Sequence, residues 1–310
     1  AGYWGSNHIK TLKKIGSLAG VVEVDKKVVK VISEKNKKIK THIDLEEALS
    51  VDYDGFIVAT PAETHFKIAK KIIEAGKHVL IEKPMVLSAN HAETLLKLGK
   101  KNKTNIMVGH VLLFHPAIAK IKALIDGGRI GHLQYIYSNR LNLGKVRTQE
   151  NVFWSLAPHD IAIFQFFTNS YPEKISATGS SILQKKILDS TITHLEFSNG
   201  VKGHIFVSWL HPFKEHRLVI IGSEAMISFE DSNDSNSIKL YSKKFDLSKG
   251  VPEKIDGPVQ NITYENNMPL DIEIDYFVKN MSSGFQISNA FHGYEVIKIL
   301  EEASLQLLND

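Results

Sequence analysis

The chain contains no cysteine among its 310 residues. That absence excludes a disulfide framework. Apolar residues make up 43% of the sequence, yet no apolar run approaches the roughly 20 residues that a helix needs to cross a bilayer. A basic stretch followed by an apolar segment, the mark of a signal peptide, is also not seen. We therefore expect a cytoplasmic protein without a membrane partner.

Arginine is scarce, because lysine supplies most of the 38 basic side chains. The four arginines all lie beyond residue 120, at Arg129, Arg140, Arg147 and Arg217. The formal charge is +4, but the lysines form no basic tract with interleaved aromatics, so we do not expect a nucleic-acid partner. A guanidinium offers a planar fork that suits carboxylate and phosphate. The clustering indicates either anion recognition in this region or an accident of composition.

Strand and helix patterns alternate over the first third of the chain. Apolar strand candidates occur in VVEVD, DGFIVATP, HVLIEKP and NIMVGH, with amphipathic stretches between them. This alternation predicts a doubly wound parallel sheet of the Rossmann type over 1–114. Beyond it, segments such as STITHLEF and HRLVIIGSEAMISF predict a second, α+β domain over 115–310 with a large, mostly antiparallel open sheet. The fold class is therefore α/β with two domains.

The first residues, AGYWGSNH, have the spacing of a nucleotide-binding turn. Gly2 and Gly5 match the last two glycines of G-x-G-x-x-G, and Tyr3 and Trp4 lie between them. Glycines there let the backbone approach a pyrophosphate, and the following helix offers unpaired N–H groups. We expect the first strand and first glycine of this motif to precede Ala1, so that the Rossmann domain is truncated here.

An acid follows the first strand candidate. Glu23 lies eighteen residues after Gly5, where a carboxylate can accept hydrogen bonds from ribose hydroxyls; Asp25 is the second candidate. Such an acid repels a 2′-phosphate, so NAD is favoured over NADP as cofactor. Lys26 and Lys27 weaken this argument because they supply positive charge nearby.

HVLIEKPM places a lysine directly after an apolar strand. Lys83 would lie at the carboxyl edge of the sheet, where doubly wound folds bind their ligands, and Pro84 fixes the exit of the chain. The alternative is a solvated charge at a strand end. Residue type and position together favour a site lysine.

The stretches AGYWGSNH, ATPAETH, AGKHVLIEKPM and PHD resemble the Gfo/Idh/MocA oxidoreductase family over nearly the whole chain. EKP following ATP-x-x-x-H is the most specific of these features. The resemblance implies hydride transfer from a sugar carbon to nicotinamide, with Lys83 and His159 as the family's lysine and histidine near the reacting hydroxyl. The cofactor contacts implied by the matching motifs are Thr60, Pro61, His65, Glu82 and Lys83.

Either an imidazole or a lysine whose pKa is depressed by desolvation can accept the hydroxyl proton. We assign His159 as proton acceptor and Lys83 as positioner or proton relay, although the sequence does not separate these roles. Many relatives carry an aspartate four residues before the histidine, where this chain has Ser155. Serine cannot raise the pKa of the imidazole by charge. Asp160 is adjacent but points elsewhere on a helix, so lower activity or Lys83 as base are the alternatives.

Three stretches, GHVLLFHPAI, RLNLGKVRTQENVFWSLAPHD and SWLHPFKEHRLVIIGSEAMISFED, are most similar to the nucleotide-sugar branch, notably UDP-N-acetylglucosaminuronate 3-dehydrogenases of surface-polysaccharide biosynthesis. This similarity implies oxidation at C3 of a UDP-N-acetylated uronic acid. Arg140, Arg147 and Arg217 are candidates for its diphosphate and carboxylate, and Asn142 and Asn151 for its hydroxyls. The alternatives are a free-sugar or inositol dehydrogenase and a non-catalytic, NAD-responsive binding protein.

The family resemblance also implies a homodimer or homotetramer, built through the open face of the second sheet. The strands LEFSNGVKGHIFVSW and LVIIGSEAMISF are apolar enough to need cover on both faces. We expect no metal site. The paired histidines His110 and His115, and His211 and His216, are five residues apart, which suits neither a helix face nor a strand face.

Overall fold

A computed structural model describes residues 2–35, 38–144, 146–148, 150–232 and 237–307. The chain divides into two compact units, one of Ala1–Val111 with Met268–Ile297 and one of Leu112–Asn267 with Lys298–Asp310. The sequence predicted a continuous second domain from residue 115 to the end. The structure differs because residues 268–297 belong to the first unit.

The helices and strands have the following bounds. The helices are α1 Tyr3–Lys14, α2 Lys26–Lys35, α3 Leu45–Leu49, α4 Ala62–Glu74, α5 Ala89–Asn102, α6 Pro116–Asp126, α7 Val152–Thr168, α8 Pro269–Asn280 and α9 Ala290–Leu307, with a 3₁₀ helix at Val111–Phe114. The strands are β1 Gly20–Val22, β2 Lys40–His42, β3 Gly55–Val58, β4 His78–Glu82, β5 Ile106–Gly109, β6 Leu133–Leu143, β7 Pro172–Ser180, β8 Ser190–Phe197, β9 Lys202–Ser208, β10 Leu210–Gly222, β11 Met226–Glu230, β12 Ser237–Tyr241, β13 Lys244–Asp246, β14 Glu253–Ile255 and β15 Val259–Thr263. None of the helices in these described ranges combines the length and apolar character that a membrane crossing requires.

The first unit contains parallel strands joined by helices, as a Rossmann fold requires. Strands β3, β4 and β5 form one parallel sheet in that order, and β1 and β2 form a separate parallel pair. Glu82 at the end of β4 pairs with Gly109 at the end of β5. Residues 83 and 110 therefore leave the sheet at the same carboxyl edge.

The core of this unit runs through β4, whose Val79, Leu80 and Ile81 are fully buried. A continuous apolar run of this kind is typical of a parallel strand that is covered on both faces. Helix α8 adds Ile274 and Phe277 to the same core. Their burial explains why the chain returns to the first unit so late in its sequence.

The second unit is built on an eight-stranded sheet in the order β15-β12-β11-β10-β6-β9-β8-β7. Neighbours are antiparallel except for β6 and β9, which confirms the predicted mostly antiparallel sheet. Helix α7 packs against β6, β8 and β9. The approach is close at Gly203, where an added methyl group would lie 2.9 Å from the Phe164 ring.

Candidate active site

The turn that begins the described chain fits a pyrophosphate. Gly2 precedes α1 in an extended conformation, with φ −69° and ψ −162°, and a Cβ placed there meets no described atom within 4 Å. No described side chain caps the helix, and its first turn, which includes Tyr3, Trp4 and Gly5, carries no acid. The unpaired N–H groups of such a turn attract an anion. Contact between this turn and a cofactor stays a prediction.

The two candidate ribose acids follow β1. The Glu23 backbone N–H donates to the His42 carbonyl at 3.0 Å, which extends the pairing with β2, and Glu23 Oε1 accepts the Asp25 N–H at 3.1 Å. The Asp25 carboxylate accepts the Lys27 N–H at 2.8 Å, at the start of α2. Glu23 is half-buried at the strand end, whereas Asp25 is exposed and its carboxylate accepts a hydrogen bond at the start of α2.

Thr60 and Pro61 follow β3 and are exposed, but His65 is 1% exposed. Its Nδ1 lies 2.9 Å from the Pro84 carbonyl oxygen and its Nε2 lies 2.8 Å from the Thr60 carbonyl oxygen. The ring thus joins the loop after β3 to the loop after β4. His65 therefore positions these two loops, and its predicted contact with the cofactor stays a prediction.

Glu82 is 7% exposed and is also engaged within the protein. Its Oε1 lies 2.6 Å from His8 Nε2, and its Oε2 accepts the Lys83 backbone N–H at 3.1 Å. Glu82 therefore links α1 to the end of β4. His8 was not predicted as a site residue, although its spacing of three from Thr11 on the buried face of α1 was an available signal.

Lys83 is half-buried directly after β4, and the Lys83–Pro84 peptide is cis. His110, which follows β5 at the same edge, is 2% exposed and lies edge-on to the His292 ring at 5.7 Å between centroids. Burial first, and then electrostatic interactions with His292 and Lys83, hold the pKa of His110 well below its ordinary value. Lys83 thus lies beside a neutral imidazole.

A buried carboxyl on α8 belongs to the same region. Glu273 is fully buried, and neither of its carboxyl oxygens has a hydrogen-bond partner in the described part of the chain. Burial first, and then the charge of Glu82, raise the pKa of Glu273 well above its ordinary value. The side chain is therefore held in its protonated form. No sequence motif marked it.

In the second unit, Arg140 and Asp160 form a bidentate ion pair. Arg140 Nε donates to Asp160 Oδ2 at 2.7 Å and Nη2 donates to Oδ1 at 3.1 Å. The residues are 9% and 2% exposed. Burial opposes the charge of Arg140, but the charge and hydrogen bonds of Asp160 outweigh it and raise the pKa of the guanidinium. Arg140 was predicted to bind the substrate, but its guanidinium already forms an ion pair with the Asp160 carboxylate.

A small cleft beside this pair is lined by His115, His216 and Asp231. His115 Nε2 lies 3.5 Å from Asp231 Oδ1, and His216 Nδ1 lies 3.9 Å from Oδ2. Partial burial acts to raise the pKa of Asp231, but these imidazoles and the charge of Arg140 lower it well below its ordinary value. One histidine from each of the two pairs considered in the sequence, His115 and His216, therefore lies beside the same carboxylate.

The other predicted substrate arginines also contact acids. Arg217 on β10 has Nε 3.3 Å from Glu230 Oε2 and 3.6 Å from Glu215 Oε1. Arg147 is exposed, with Nε 3.4 Å from Glu150 Oε1. Each of the three predicted arginines thus contacts at least one carboxylate.

The remaining predicted residues lie on β6 and α7. Asn142 is half-buried on β6. Asn151 caps α7, because its Oδ1 accepts the Trp154 N–H at 3.0 Å, so the observed role of Asn151 is structural. His159 and Ser155 are both half-buried on α7, one turn apart. In the described residues, no group of three His, Asp or Glu side chains is arranged to hold a metal ion.

Comparison with known proteins adds the family. Residues 1–110 match the model described as "Oxidoreductase family, NAD-binding Rossmann fold", and residues 118–228 match the GFO/IDH/MocA C-terminal domain. The chain is 25% identical over 253 residues to UDP-N-acetylglucosamine 3-dehydrogenase of Acidithiobacillus ferrooxidans, covering 81% of this chain and 78% of that protein. It is 26% identical over 200 residues to inositol 2-dehydrogenase of Rhizobium meliloti, covering 61% and 60%.

Solved structures share the fold. The Acidithiobacillus enzyme superposes with a TM-score of 0.86 at 21% identity, covering 99% of this chain and 95% of that chain. An oxidoreductase from Agrobacterium radiobacter in complex with NAD⁺, L-tartaric acid and magnesium superposes with a TM-score of 0.82 at 16% identity, covering 99% and 94%. Since the two matched family domains span more than two thirds of the chain, it belongs to the Gfo/Idh/MocA family and is an NAD(P)-dependent oxidoreductase acting on CH–OH groups.

Proposed function

We propose that this protein is an NAD-dependent dehydrogenase that oxidises the C3 hydroxyl of a UDP-linked N-acetylated sugar. The observation that carries the proposal is Lys83, which directly follows β4 at the carboxyl edge of the parallel sheet. The similarity to a UDP-N-acetylglucosamine 3-dehydrogenase supports this substrate class. Surface-polysaccharide biosynthesis is the process that such a product would enter.

The proposed roles follow from the side chains. The nicotinamide ring, when bound, accepts the hydride from the sugar carbon. His159 accepts the hydroxyl proton, and Lys83 orients the hydroxyl oxygen or relays the proton. The amide of Lys83 is fixed by Glu82, which in turn is held by His8 on the helix of the cofactor turn. A lysine with a fixed backbone orients a hydroxyl at lower entropic cost than a mobile one.

A uronic acid differs from the N-acetylated hexose by a carboxylate that the protein would have to bind. The case for a carboxylate depended on arginine forks, and Arg140, Arg147 and Arg217 each contact a protein carboxylate. An N-acetylated hexose carries the same diphosphate without the extra charge. Both the hexose and its uronic acid are therefore included in the assay below.

NAD is the proposed cofactor in preference to NADP. Glu23 brings a carboxylate to the end of β1, where a ribose binds in this fold, and a 2′-phosphate would meet its negative charge. We expect kcat/KM to be higher with NAD than with NADP, and Glu23→Gln to narrow the difference. An unchanged preference in that variant would remove Glu23 from the ribose site.

The direct test supplies NAD and a panel of sugars while the absorbance of reduced nicotinamide is followed. The panel contains UDP-N-acetylglucosamine, its uronic acid, UDP-glucose, free glucose and myo-inositol. Turnover confined to the N-acetylated UDP-sugars is the expected result. Turnover of glucose or inositol alone would contradict the nucleotide-sugar proposal, and NAD-dependent thermal stabilisation without any turnover would favour the binding-protein alternative.

Lys83→Ala tests the catalytic assignment against a matched control. Lys77 directly precedes β4 and pairs with Asp52 at 2.9 Å, so the two lysines flank the same strand at opposite ends. We expect Lys83→Ala to lower kcat by about 10²-fold or more while NAD binding is retained, and Lys77→Ala to leave kcat within a factor of two. Full activity of Lys83→Ala would exclude it from the reaction.

Location and assembly are part of the same proposal. We expect the enzyme to act in the cytoplasm as a homodimer or homotetramer that covers the sheet face opposite α7. Tyr137 and His204 stack on that face with ring centroids 5.1 Å apart, and the Tyr135 hydroxyl is hydrogen-bonded to Nδ1 of the His204 ring. Sedimentation analysis showing a monomer at micromolar concentration would contradict this assembly.

A further inference from the structure

We infer that the Arg140–Asp160 ion pair positions His159 for proton transfer, an inference that rests on the proposed function. Asp160 immediately follows His159 on α7, and Arg140 projects from β6 beneath that helix. Two hydrogen bonds, of 2.7 and 3.1 Å, join Arg140 to Asp160. A bidentate pair fixes the direction as well as the distance of its partners, and so fixes the turn that carries His159.

The helix needs such an anchor at this point. Pro158 directly precedes His159 inside α7 and has no N–H to donate to the Trp154 carbonyl, so one backbone hydrogen bond is missing from this turn. The Trp154 indole N–H is held by Ser304 Oγ at 2.9 Å, on the side before the proline. Asp160 supplies the corresponding anchor after it. Side-chain contacts on both sides of Pro158 thus replace the missing backbone restraint.

A direct role for Arg140 in substrate binding fits the structure less well. Its Nε–H and Nη2–H groups both donate hydrogen bonds to Asp160, and the residue is 9% exposed. A substrate anion would have to compete with a buried carboxylate, and separating a buried pair leaves an uncompensated charge. The pair is therefore better suited to hold a helix than to exchange ligands.

Charged groups lie near the Arg140–Asp160 pair on both the sheet side and the helix side. Asp231, which follows β11, also acts on Arg140, and Asp231 is flanked by His115 at the start of α6 and by His216 on β10. Asp160 itself projects from α7. Because Arg140 and Asp160 compensate each other, removing either one leaves the charge of the other uncompensated at the turn of α7 that carries His159.

Two single substitutions are expected to shift the pKa of His159 in opposite directions. Asp160→Asn leaves the Arg140 charge, which lowers the pKa of His159; Arg140→Met leaves the Asp160 charge, which raises it. We expect shifts on the order of one pH unit, in opposite directions, and the double variant to return towards the wild-type value. Arg140→Lys keeps the charge without the fork, so it should lower kcat and leave the pKa of His159 close to the wild-type value.

Two readouts separate the outcomes. The pKa of His159 is measured by NMR titration of its ring protons in the protein without substrate, with His159→Asn to assign the signal, and the acidic limb of kcat/KM is measured with the preferred sugar. Lys174→Met, which removes an exposed pair with Glu196 on β7 and β8, is the control. Opposite NMR shifts support the inference even if no sugar is turned over, in which case only the proposed function fails. Unmoved or parallel shifts, with melting temperatures lowered in both single variants, would overturn it and leave a purely structural pair.

Discussion

Two buried sites, one in each unit, treat charge differently. In the second unit, the buried guanidinium of Arg140 is matched by the buried carboxylate of Asp160. In the first unit, which also holds the buried His8–Glu82 pair, the side chains of Glu273 and His110 are buried with no hydrogen-bond partner among the described residues. A matched pair holds a fixed geometry over a wide pH range, whereas an unmatched group is held in its neutral form. The comparison implies that substitutions at the two places will have effects of opposite sign on stability.

The largest effect is expected from breaking the matched pair. Arg140→Met leaves the Asp160 carboxylate buried without its partner, and we expect the free energy of unfolding of the second unit to fall by about 3–5 kcal/mol. Chemical denaturation can be followed through the fluorescence of Trp154 and Trp209, which lie in that unit.

The double variant Arg140→Met/Asp160→Leu sharpens this prediction. It removes both charges and keeps apolar volume, so it should recover most of the stability that the single variant loses. Equal losses in the single and double variants would mean that packing, and not the unmatched charge, determines the effect.

Much of this fold was predictable from the sequence because its signals are local. The run HVLIE is apolar throughout and became the buried strand β4, and alternation along STITHLEF became β8. Strand β15 was not predicted because its residues are mostly exposed and leave no apolar alternation. The return of α8 to the first unit was also missed, since an amphipathic pattern shows that a helix has a buried face but not which core covers it.

The candidate site was predictable in part, and for the same reason. The position of Lys83 after an apolar strand is a local feature, and the structure has it there. The partners of polar side chains are not local: Asp160 lies twenty residues from Arg140, and Glu82 lies seventy-four residues from His8. His65 matched a motif, yet its ring is buried between two backbone carbonyls. Motif spacing indicates which residues are used, but only packing shows whether they face a ligand or the protein.

An intermediate effect, opposite in sign, is expected at the unmatched carboxyl. The pKa of Glu273 is raised in the folded state, so the folded protein keeps a proton that the unfolded chain releases above about pH 4.3. The stability this group contributes is therefore present below that pH and is lost as the pH rises. Glu273→Gln resembles the protonated form and removes this loss.

We expect Glu273→Gln to be more stable than the wild type at pH 8, by about 1–3 kcal/mol, and equal to it near pH 4. Thermal melts across this pH range measure the difference. Asp271→Asn on the same helix is the control, because Asp271 accepts hydrogen bonds from Thr11 and Lys14 and its loss should lower stability at pH 8. A Glu273→Gln variant that is less stable than the wild type at pH 8 would mean that the carboxylate is ionised and paired.

The smallest effect is expected at an exposed ion pair of the first unit. Comparing it with the Arg140–Asp160 pair shows whether burial or pairing determines the loss of stability. Lys14 Nζ lies 2.6 Å from Asp271 Oδ2, but the lysine side chain is 68% exposed. Solvent screens such a pair, so Lys14→Met should lower the free energy of unfolding by only about 0.2–1 kcal/mol.

At 1 M salt, where the Debye length is about 3 Å, the effect of Lys14→Met should vanish, whereas the loss of stability in Arg140→Met should persist because Asp160 is buried. Unfolding of both variants at low and high salt measures the two cases side by side. A loss in Arg140→Met that disappears with salt would show that solvent reaches the Asp160 carboxylate, and burial would then not distinguish this pair from Lys14–Asp271.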